Sequence, residues 1–215
     1  MTLHGDGLER RANHSGLTRL GIFGFAFTLG LAVLAQGAWA QSAGERAAVR
    51  TATILVEKAH GALANSGLSD AQKLSRLESA VRQTFAFPVW EAFLLGKSSK
   101  QFSSRQLSTF RKLLPKYLAR LYANQFGKGL RRKPEIGQAK TVRKDVLVRA
   151  KIPRGNGGNL PVDWRLRNVR GGYRVIDFMV GGTSFLVLKR AEFNSVLKRA
   201  GPDELNEFLR KFIQK

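Results

Sequence analysis

The chain has 215 residues, of which 37 are basic and 15 acidic, and its formal net charge is +22. It contains no cysteine, which excludes disulfides, thiolate metal sites and cysteine nucleophiles and leaves apolar burial to hold the fold together. A surface this basic attracts anions.

Residues 1–40 are typical of a secretory signal peptide. Three arginines precede an unbroken apolar run at residues 20–35, and Ala38-Trp39-Ala40 supplies the small residues of a cleavage site. We expect export to the periplasm by the general secretory route and cleavage after Ala40, with retention of the run as a membrane anchor as the alternative. Without residues 1–40, which hold three basic and two acidic residues, the net charge is +21.

Residues 43–130 carry apolar side chains at helical spacing. The spacing predicts a first helix over Glu45–Ser66. Its inward stripe is predicted to hold Val49, Thr53, Val56, His60 and Leu63. A second helix is expected to begin after Ser69, because Gln72 follows three residues later and completes a capping box.

Two further helices are predicted before the apolar spacing changes from helical to a period of two. The stretch FAFPVWEAFLLG breaks at Pro88 and begins a short apolar helix that ends at Gly96. Steps of three and four predict the longest helix over Ser103–Phe126. Pro115 lies within it, where it either kinks the axis or marks a restart of the helix.

Residues 134–181 show an apolar period of two, which predicts four consecutive antiparallel strands. In the last of these strands, strict alternation places Val175, Asp177 and Met179 on the inner side. Two helices are expected over residues 184–213, interrupted at Gly201-Pro202.

Together these elements predict an α+β domain over residues 41–215, with a curved four-stranded antiparallel sheet and helices packed over one face. Both layers carry large aromatic side chains, which are hard to interdigitate fully, so a cavity between sheet and helices is one interpretation. An ordinary, fully packed core is the other.

Polar groups suited to catalysis are scarce. Beyond residue 40 the chain has one histidine, His60, and no cysteine, so neither a histidine-based triad nor a His/Cys metal cluster can form, and we expect no enzyme activity, no metal and no cofactor. Asp177 is either a general base or, as we favour, hydrogen-bonded or paired with an arginine of a neighbouring strand. Export and the lack of interleaved aromatic and basic residues argue against nucleic acid, which leaves anionic phospholipid headgroups as the expected anion.

Two segments carry a resemblance to a known family. PVDWRLRNVRGGYRVIDFMVGGTSF, followed by Arg190 and Phe193, resembles the C-terminal signature of the MlaC family of periplasmic phospholipid-binding proteins, also called toluene-tolerance proteins. Upstream, the FAFPVWEAFLLG segment and the helix with Gln106, Phe110 and Leu114 are similar to the same family. The ending AGPDEL resembles the hopanoid-associated branch named HpnM.

The resemblance implies a monomeric carrier that holds acyl chains between sheet and helices. It also implies shuttling of phospholipid, or of a hopanoid, between an outer-membrane lipoprotein complex and an inner-membrane ABC transporter complex. A basic module that docks on anionic membrane surfaces without a cavity is the alternative, and its binding would collapse with salt.

The predicted lipid-binding side chains are the large apolar residues of both layers. They are Phe87, Trp90, Phe93, Leu94, Phe110, Leu114, Tyr117, Leu118, Leu121, Tyr122, Val146, Val148, Val162, Trp164, Leu166, Val175, Met179 and Phe185. Gly181 and Gly182 are expected to turn the chain into a helix capped by Ser184, near which a headgroup phosphate is able to sit.

Overall fold

The sheet is a meander in which each strand pairs with the next one along the chain. A computed structural model describes residues 41–127, 132–154 and 157–215, so the predicted signal peptide lies outside the described residues. The strands are β1 (Glu135–Val142), β2 (Asp145–Pro153), β3 (Asn159–Val169), β4 (Gly172–Val180) and β5 (Thr183–Ser184). They pair antiparallel in the order β1-β2-β3-β4-β5, which confirms the predicted α+β fold and adds a short fifth strand.

Among the described residues, four α-helices precede the sheet and one follows it. They are α1 (Ala43–Leu63), α2 (Asp70–Thr84), α3 (Phe87–Leu95), α4 (Ser104–Phe126) and α5 (Phe185–Gln214), with a 3₁₀ segment, Gly96–Gln101, between α3 and α4. Within the described ranges, no helix is long and apolar enough to cross a membrane.

Capping boxes fix the starts of α1, α2 and α4. At each start a serine accepts a hydrogen bond from the third helical residue, whose side chain accepts one from the serine N–H. In α1 these residues are Ser42 and Glu45, and the Glu45 carboxylate also accepts bonds from the backbone N–H and the hydroxyl of Thr141 in β1, both at 2.9 Å. One side chain thus ties the start of α1 to the end of β1.

Proline and glycine act differently in the two long helices. α4 continues through Pro115, so the predicted restart of the helix at this residue is wrong. In α5 the backbone leaves the helical conformation at Gly201, with φ 77° and ψ −172°, just before Pro202. The predicted interruption at Gly201-Pro202 is therefore confirmed. Glycine suits this position because any side chain would be strained at this positive φ.

The buried face of α1 differs from the predicted stripe. The residues in the core are Ala48, Ala52, Leu55, Val56, Ala59 and Ala62, whereas Val49, Thr53, His60 and Leu63 are half-buried. Four of the six buried residues are alanines, whose small side chains let the helix lie close to the sheet. Periodicity weighted by large apolar side chains does not detect such a face.

The sheet has one apolar and one charged face. On the inner face β2 and β3 bury Val146, Val148, Ala150, Ile152, Leu160, Val162, Trp164 and Leu166. On the outer face Asp145, 1% exposed, accepts bonds from Arg165 (2.7 Å) and Arg167 (2.6 Å), and Asp163 pairs with Arg149 at 2.7 Å. The described helices therefore pack on the apolar inner face and leave the charged outer face uncovered.

A bulge in β4 corrects the predicted facing of that strand. Arg165 lies opposite Asp177 but Leu166 lies opposite Val175, so Ile176 is an extra residue. Cross-strand partners share a face. Val175 and Phe178 therefore point inward, while Asp177 and Met179 share the outer face with Arg165 and Asp163. The prediction that Asp177 and Met179 lie on the inner side is wrong.

The buried carboxylate of Asp145 gives a first test. Burial opposes its ionisation, but the hydrogen bonds from Arg167 and Arg165 outweigh burial and hold the pKa of Asp145 below its ordinary value. This stabilisation is present above the unfolded-state pKa and is lost as the pH falls through the folded-state pKa. We expect Asp145→Asn to cost about 1–3 kcal/mol at neutral pH, and to cost progressively less below about pH 4, in urea unfolding followed by circular dichroism.

Asp163→Asn is the matched control on the same face. Its partner Arg149 is 65% exposed, so the pair is solvent-screened and its loss is expected to cost under about 1 kcal/mol. Equal costs for the two variants, or a cost for Asp145→Asn that does not change with pH, would contradict the role given to Asp145.

Candidate functional site

Phe178 is the centre of an aromatic cluster on the inner face of the sheet. Its ring centroid lies 4.5 Å from that of Phe185, 5.3 Å from Trp164, 5.9 Å from Phe126 and 6.4 Å from Trp90. These rings come from α3, α4, α5 and two strands. We call Trp90, Tyr122, Phe126, Trp164, Phe178 and Phe185 the aromatic cluster.

The cluster joins α4 to the sheet through ring contacts. Tyr122 stacks on Trp164 with an interplanar angle of 14° and a centroid distance of 5.9 Å, and Phe126 lies 6.1 Å from Trp164. The hydrogen bonds that α4 side chains make to other described elements run instead to α3, from Arg111 to Glu91, and to α5, from Arg120 to the carbonyl of Ile213. Dispersion and apolar burial therefore hold α4 against β3.

The attachment of α3 to the sheet is different, because it is made by hydrogen bonds. The Val175 carbonyl accepts one bond from the Ala86 N–H at 3.0 Å and another from the Trp90 Nε1–H at 3.1 Å. Phe85 also bridges to Val175 in parallel. Directional bonds fix α3 to β4 more specifically than stacked rings fix α4 to β3.

Trp164 carries a buried donor without an acceptor. Its side chain is 0% exposed and its Nε1 has no hydrogen-bond partner among the described residues. An unsatisfied buried donor costs about 1–3 kcal/mol. Around it the pKa of Tyr122 is raised by burial, so this ring is a neutral phenol at any physiological pH. The cluster is thus apolar and uncharged, and the Nε1–H of Trp164 lacks an acceptor in the described part of the chain.

Most of the predicted lipid-binding residues lie in the core. Buried are Trp90, Leu94, Phe110, Leu114, Tyr117, Leu118, Leu121, Tyr122, Val146, Val148, Val162, Trp164, Leu166 and Val175. Phe87, Phe93 and Phe185 are half-buried and pack against the core. Met179 is half-buried on the outer face, away from this core face. A lipid-binding role for these residues stays a prediction.

Two of the predicted residues belong to a second aromatic group, between α4 and α5. Phe110 lies 6.2 Å from Phe193, and Tyr117 lies 5.5 Å from Phe193 and 4.7 Å from Phe212. Their ring partners are on α5 and, for Phe110, also at Phe102 just before α4, and none is on the sheet. They therefore hold two helices together and do not join the cluster around Trp164.

The residues predicted from the sequence do not include Phe178 and Phe126. Alternation without a bulge places Phe178 on the far side of β4. Phe126 follows the helical spacing of α4 but is its last residue. For Phe126 the spacing was a sufficient signal, whereas the facing of Phe178 depends on a register shift that periodicity does not reveal.

The turn after β4 organises the start of α5. Gly181 and Gly182 have φ values of 58° and 80°, which glycine adopts without strain. Ser184 is the N-cap and accepts a bond from the Val187 N–H at 3.1 Å, as the sequence predicts. A headgroup near Ser184 stays a prediction.

Asp177 is occupied by hydrogen bonds at the same helix start. Its carboxylate accepts bonds from the Ser184 hydroxyl (2.5 Å), the Phe178 N–H (2.8 Å) and the Leu186 N–H (3.0 Å). Burial raises the pKa of Asp177 above its ordinary value, against these three bonds, which lower it. The hydrogen-bonded interpretation of this residue is confirmed, and its structural task is to anchor α5.

The described residues line at least two surface clefts. One, of about 220 Å³, lies where α2, α4 and the end of α5 meet and is lined by Leu74, Glu78, Lys116, Arg120 and Ile213 among others. The other, of about 280 Å³, follows the edge strand β1 beside Arg149 and Lys151. Neither contains a residue of the aromatic cluster, so the predicted cavity between the layers stays a prediction.

The chain matches the model of a known protein family. The family model described as "MlaC protein" matches residues 54–211. No curated protein is significantly similar in sequence. Among solved structures, a phospholipid-binding protein from Ralstonia solanacearum, in complex with a phospholipid, is similar with a TM-score of 0.64 and 21% identity, covering 78% of this chain and 97% of that chain.

The two buried tryptophans allow a matched test of the unsatisfied donor. Trp90→Phe removes a bond to Val175, whereas Trp164→Phe removes a donor without an acceptor. In protein freed of any bound lipid, we expect Trp90→Phe to cost about 1–2 kcal/mol more unfolding free energy than Trp164→Phe in urea titrations. A larger cost for Trp164→Phe would mean that its indole N–H is satisfied.

Proposed function

Because the chain belongs to the MlaC family, we propose that it is a periplasmic carrier that binds a lipid by its acyl chains and moves it between membranes. The observation that carries this proposal is the apolar, uncharged aromatic cluster between sheet and helices, with its single unsatisfied donor on Trp164. A lipid supplies an apolar chain that packs against these rings and a hydrogen-bond acceptor for the Trp164 Nε1–H.

The energetics of chain burial suit a carrier. Each buried methylene contributes about 0.8 kcal/mol, so a chain of about 16 carbons contributes on the order of 10 kcal/mol before ordering costs. A bilayer buries the same chain, so the net preference is small. Lipid can therefore be loaded and unloaded without chemical energy being stored in the carrier itself.

The proposed entry route is the contact between α4 and β3. In the described structure the rings of Tyr122 and Phe126 lie directly on Trp164, so an acyl chain has to displace them. The hydrogen bonds of α3 to Val175 hold the opposite side of the cluster in place. Opening on one side, with the other fixed, gives a chain a way in without unfolding the sheet.

The arrangement of Asp177 argues against catalysis. An inward carboxylate near a lipid would suit a general base, but Asp177 is on the outer face and accepts three hydrogen bonds at the start of α5. Carriage of a lipid needs no proton transfer. We propose a carrier without enzyme activity.

The proposed partners are those that the resemblance to the family implies. We propose that the exported chain acts as a monomer and exchanges phospholipid between an outer-membrane lipoprotein complex and an inner-membrane ABC transporter complex. A hopanoid is the second candidate cargo, because the AGPDEL segment, Ala200–Leu205, resembles the hopanoid-associated branch.

Native mass spectrometry of the exported protein tests the proposal. We expect about one lipid per chain, retained through washing in about 1 M salt, because an apolar contact is not screened. Extraction and identification of the lipid then separates phospholipid from hopanoid. Protein that is folded but carries no lipid after gentle purification would overturn the proposal.

Neighbouring residues of β2 supply a variant and its control. Val148 is fully buried on the inner face beside Trp164, and Leu147 is half-buried on the outer face. We expect Val148→Phe to lower lipid occupancy several-fold by filling the space, at a stability cost of about 1–3 kcal/mol, and Leu147→Phe to leave occupancy unchanged. Equal occupancy in both variants would place the lipid elsewhere.

A further inference from the structure

Two hairpin turns lie at the same end of the sheet and both carry a basic apex. The β1–β2 turn consists of Arg143 and Lys144, between the paired residues Val142 and Asp145. The β3–β4 turn consists of Arg170 and Gly171, between Val169 and Gly172. Alternate turns of an antiparallel meander point the same way.

The register shows how the two turns are placed. Val142, Asp145, Arg167 and Arg174 are successive neighbours in one row across the four strands. Beyond this row β1 and β2 turn at once, whereas β3 and β4 continue for two more residues, about 7 Å, before their turn. Arg174 lies in this row, below both turns. We call Arg143, Lys144, Arg170 and Arg174 the turn-end patch.

Arginine is a poor choice for the conformation found at both apexes. Arg143 has a φ of 55° and Arg170 a φ of 51°, and they are the two non-glycine residues with positive φ in the described part of the chain. This region favours glycine and asparagine, and a longer side chain is strained there. Strained residues that persist at an exposed site point to a task other than folding.

Among the described residues, no ion pair neutralises the charges of the patch. Within the described ranges, the ion pairs include none formed by Arg143, Lys144, Arg170 or Arg174. The carboxylate in the same row, Asp145, already contacts Arg165 and Arg167. Arg143, Lys144 and Arg170 are exposed, and Arg174 is half-buried and donates to the Tyr173 carbonyl.

We propose that the turn-end patch docks the protein on the anionic surface of a phospholipid bilayer. The strain at Arg143 and Arg170 and their unpaired charges have one explanation in common, which is an external anion. A bilayer surface fits better than a small anion, because the two apexes project outward at different levels and do not converge on one point. Each Lys or Arg near an anionic bilayer strengthens binding severalfold.

Docking of this kind rests on the proposed carrier function, since a carrier has to meet the membrane from which its lipid comes. Docking through the patch also fixes which end of the sheet faces the bilayer. The start of α1 lies at the same end, where Glu45 bonds to Thr141. The β4–β5 turn at Gly181-Gly182 lies at the opposite end and points away from the docked surface.

Paired substitutions separate this docking from general basicity. The test variant combines Arg143→Gly with Arg170→Asn, residues that suit a positive φ. The control combines Lys112→Gln with Lys198→Gln, which removes the same charge from exposed positions on α4 and α5. Binding is measured by sedimentation with phosphatidylcholine vesicles that contain about 30% phosphatidylglycerol, at about 0.1 M salt.

We expect the test variant to lose about tenfold or more in vesicle binding and the control about threefold or less. The melting temperature of the test variant should equal or exceed that of the parent, because strain is removed. Lipid occupancy by native mass spectrometry should be unchanged, which separates docking from lipid carriage.

Three results would overturn the docking inference. Equal losses in the two variants would assign binding to overall charge, and a lowered melting temperature in the test variant would give the arginines a structural role. A parent protein that does not bind the anionic vesicles while still carrying lipid would leave the carrier function intact and make an acidic protein surface the partner.

Discussion

The extra residue in β4 decides how the rest of the molecule is organised. Because Ile176 has no partner on β3, Phe178 faces the helices and Asp177 faces the other way. Phe178 thereby becomes the ring that α3, α4 and α5 share, and Asp177 becomes the acceptor that starts α5. A strand of regular alternation would have put a carboxylate in the apolar layer and a phenylalanine in solvent. Bulges of this kind re-aim side chains next to functional sites.

Much of the fold was predictable because its signals are local. Residues close together in the sequence are enough to recognise the capping boxes, the change of apolar period and the break at Gly201-Pro202. The facing of β4 was not predictable, since a bulge is set by pairing with β3. The buried face of α1 was missed because alanine contributes little to an apolar pattern. The sequence predicts Phe110 and Tyr117 as lipid-binding residues between helices and sheet, because α4 is apolar on two sides and its spacing does not show which neighbour packs on which side.

The two walls of the aromatic cluster differ in kind, and this difference connects packing to carriage. Stacked rings lose contact gradually as they slide and re-form against any apolar partner, including an acyl chain. Hydrogen bonds such as those at the Val175 carbonyl lose most of their energy once geometry is broken. A protein built to admit a flexible guest needs the first kind of contact where the guest enters and the second kind where the frame must hold. Under the proposed function, the residues that make the core stable are also the ones that would contact a lipid.

The carboxylate of Glu45 has a consequence for the behaviour of the free protein. β1 is the long outer strand of the sheet, and an uncovered outer strand is a template on which another copy can polymerise. At its final turn the amide of Thr141 is already taken by Glu45, whose pKa is lowered by its bonds to Ser42 and Thr141, so the acid keeps its charge in mildly acidic surroundings. Glu45, which also caps the start of α1, therefore blocks strand pairing with another copy at this end of the edge strand β1.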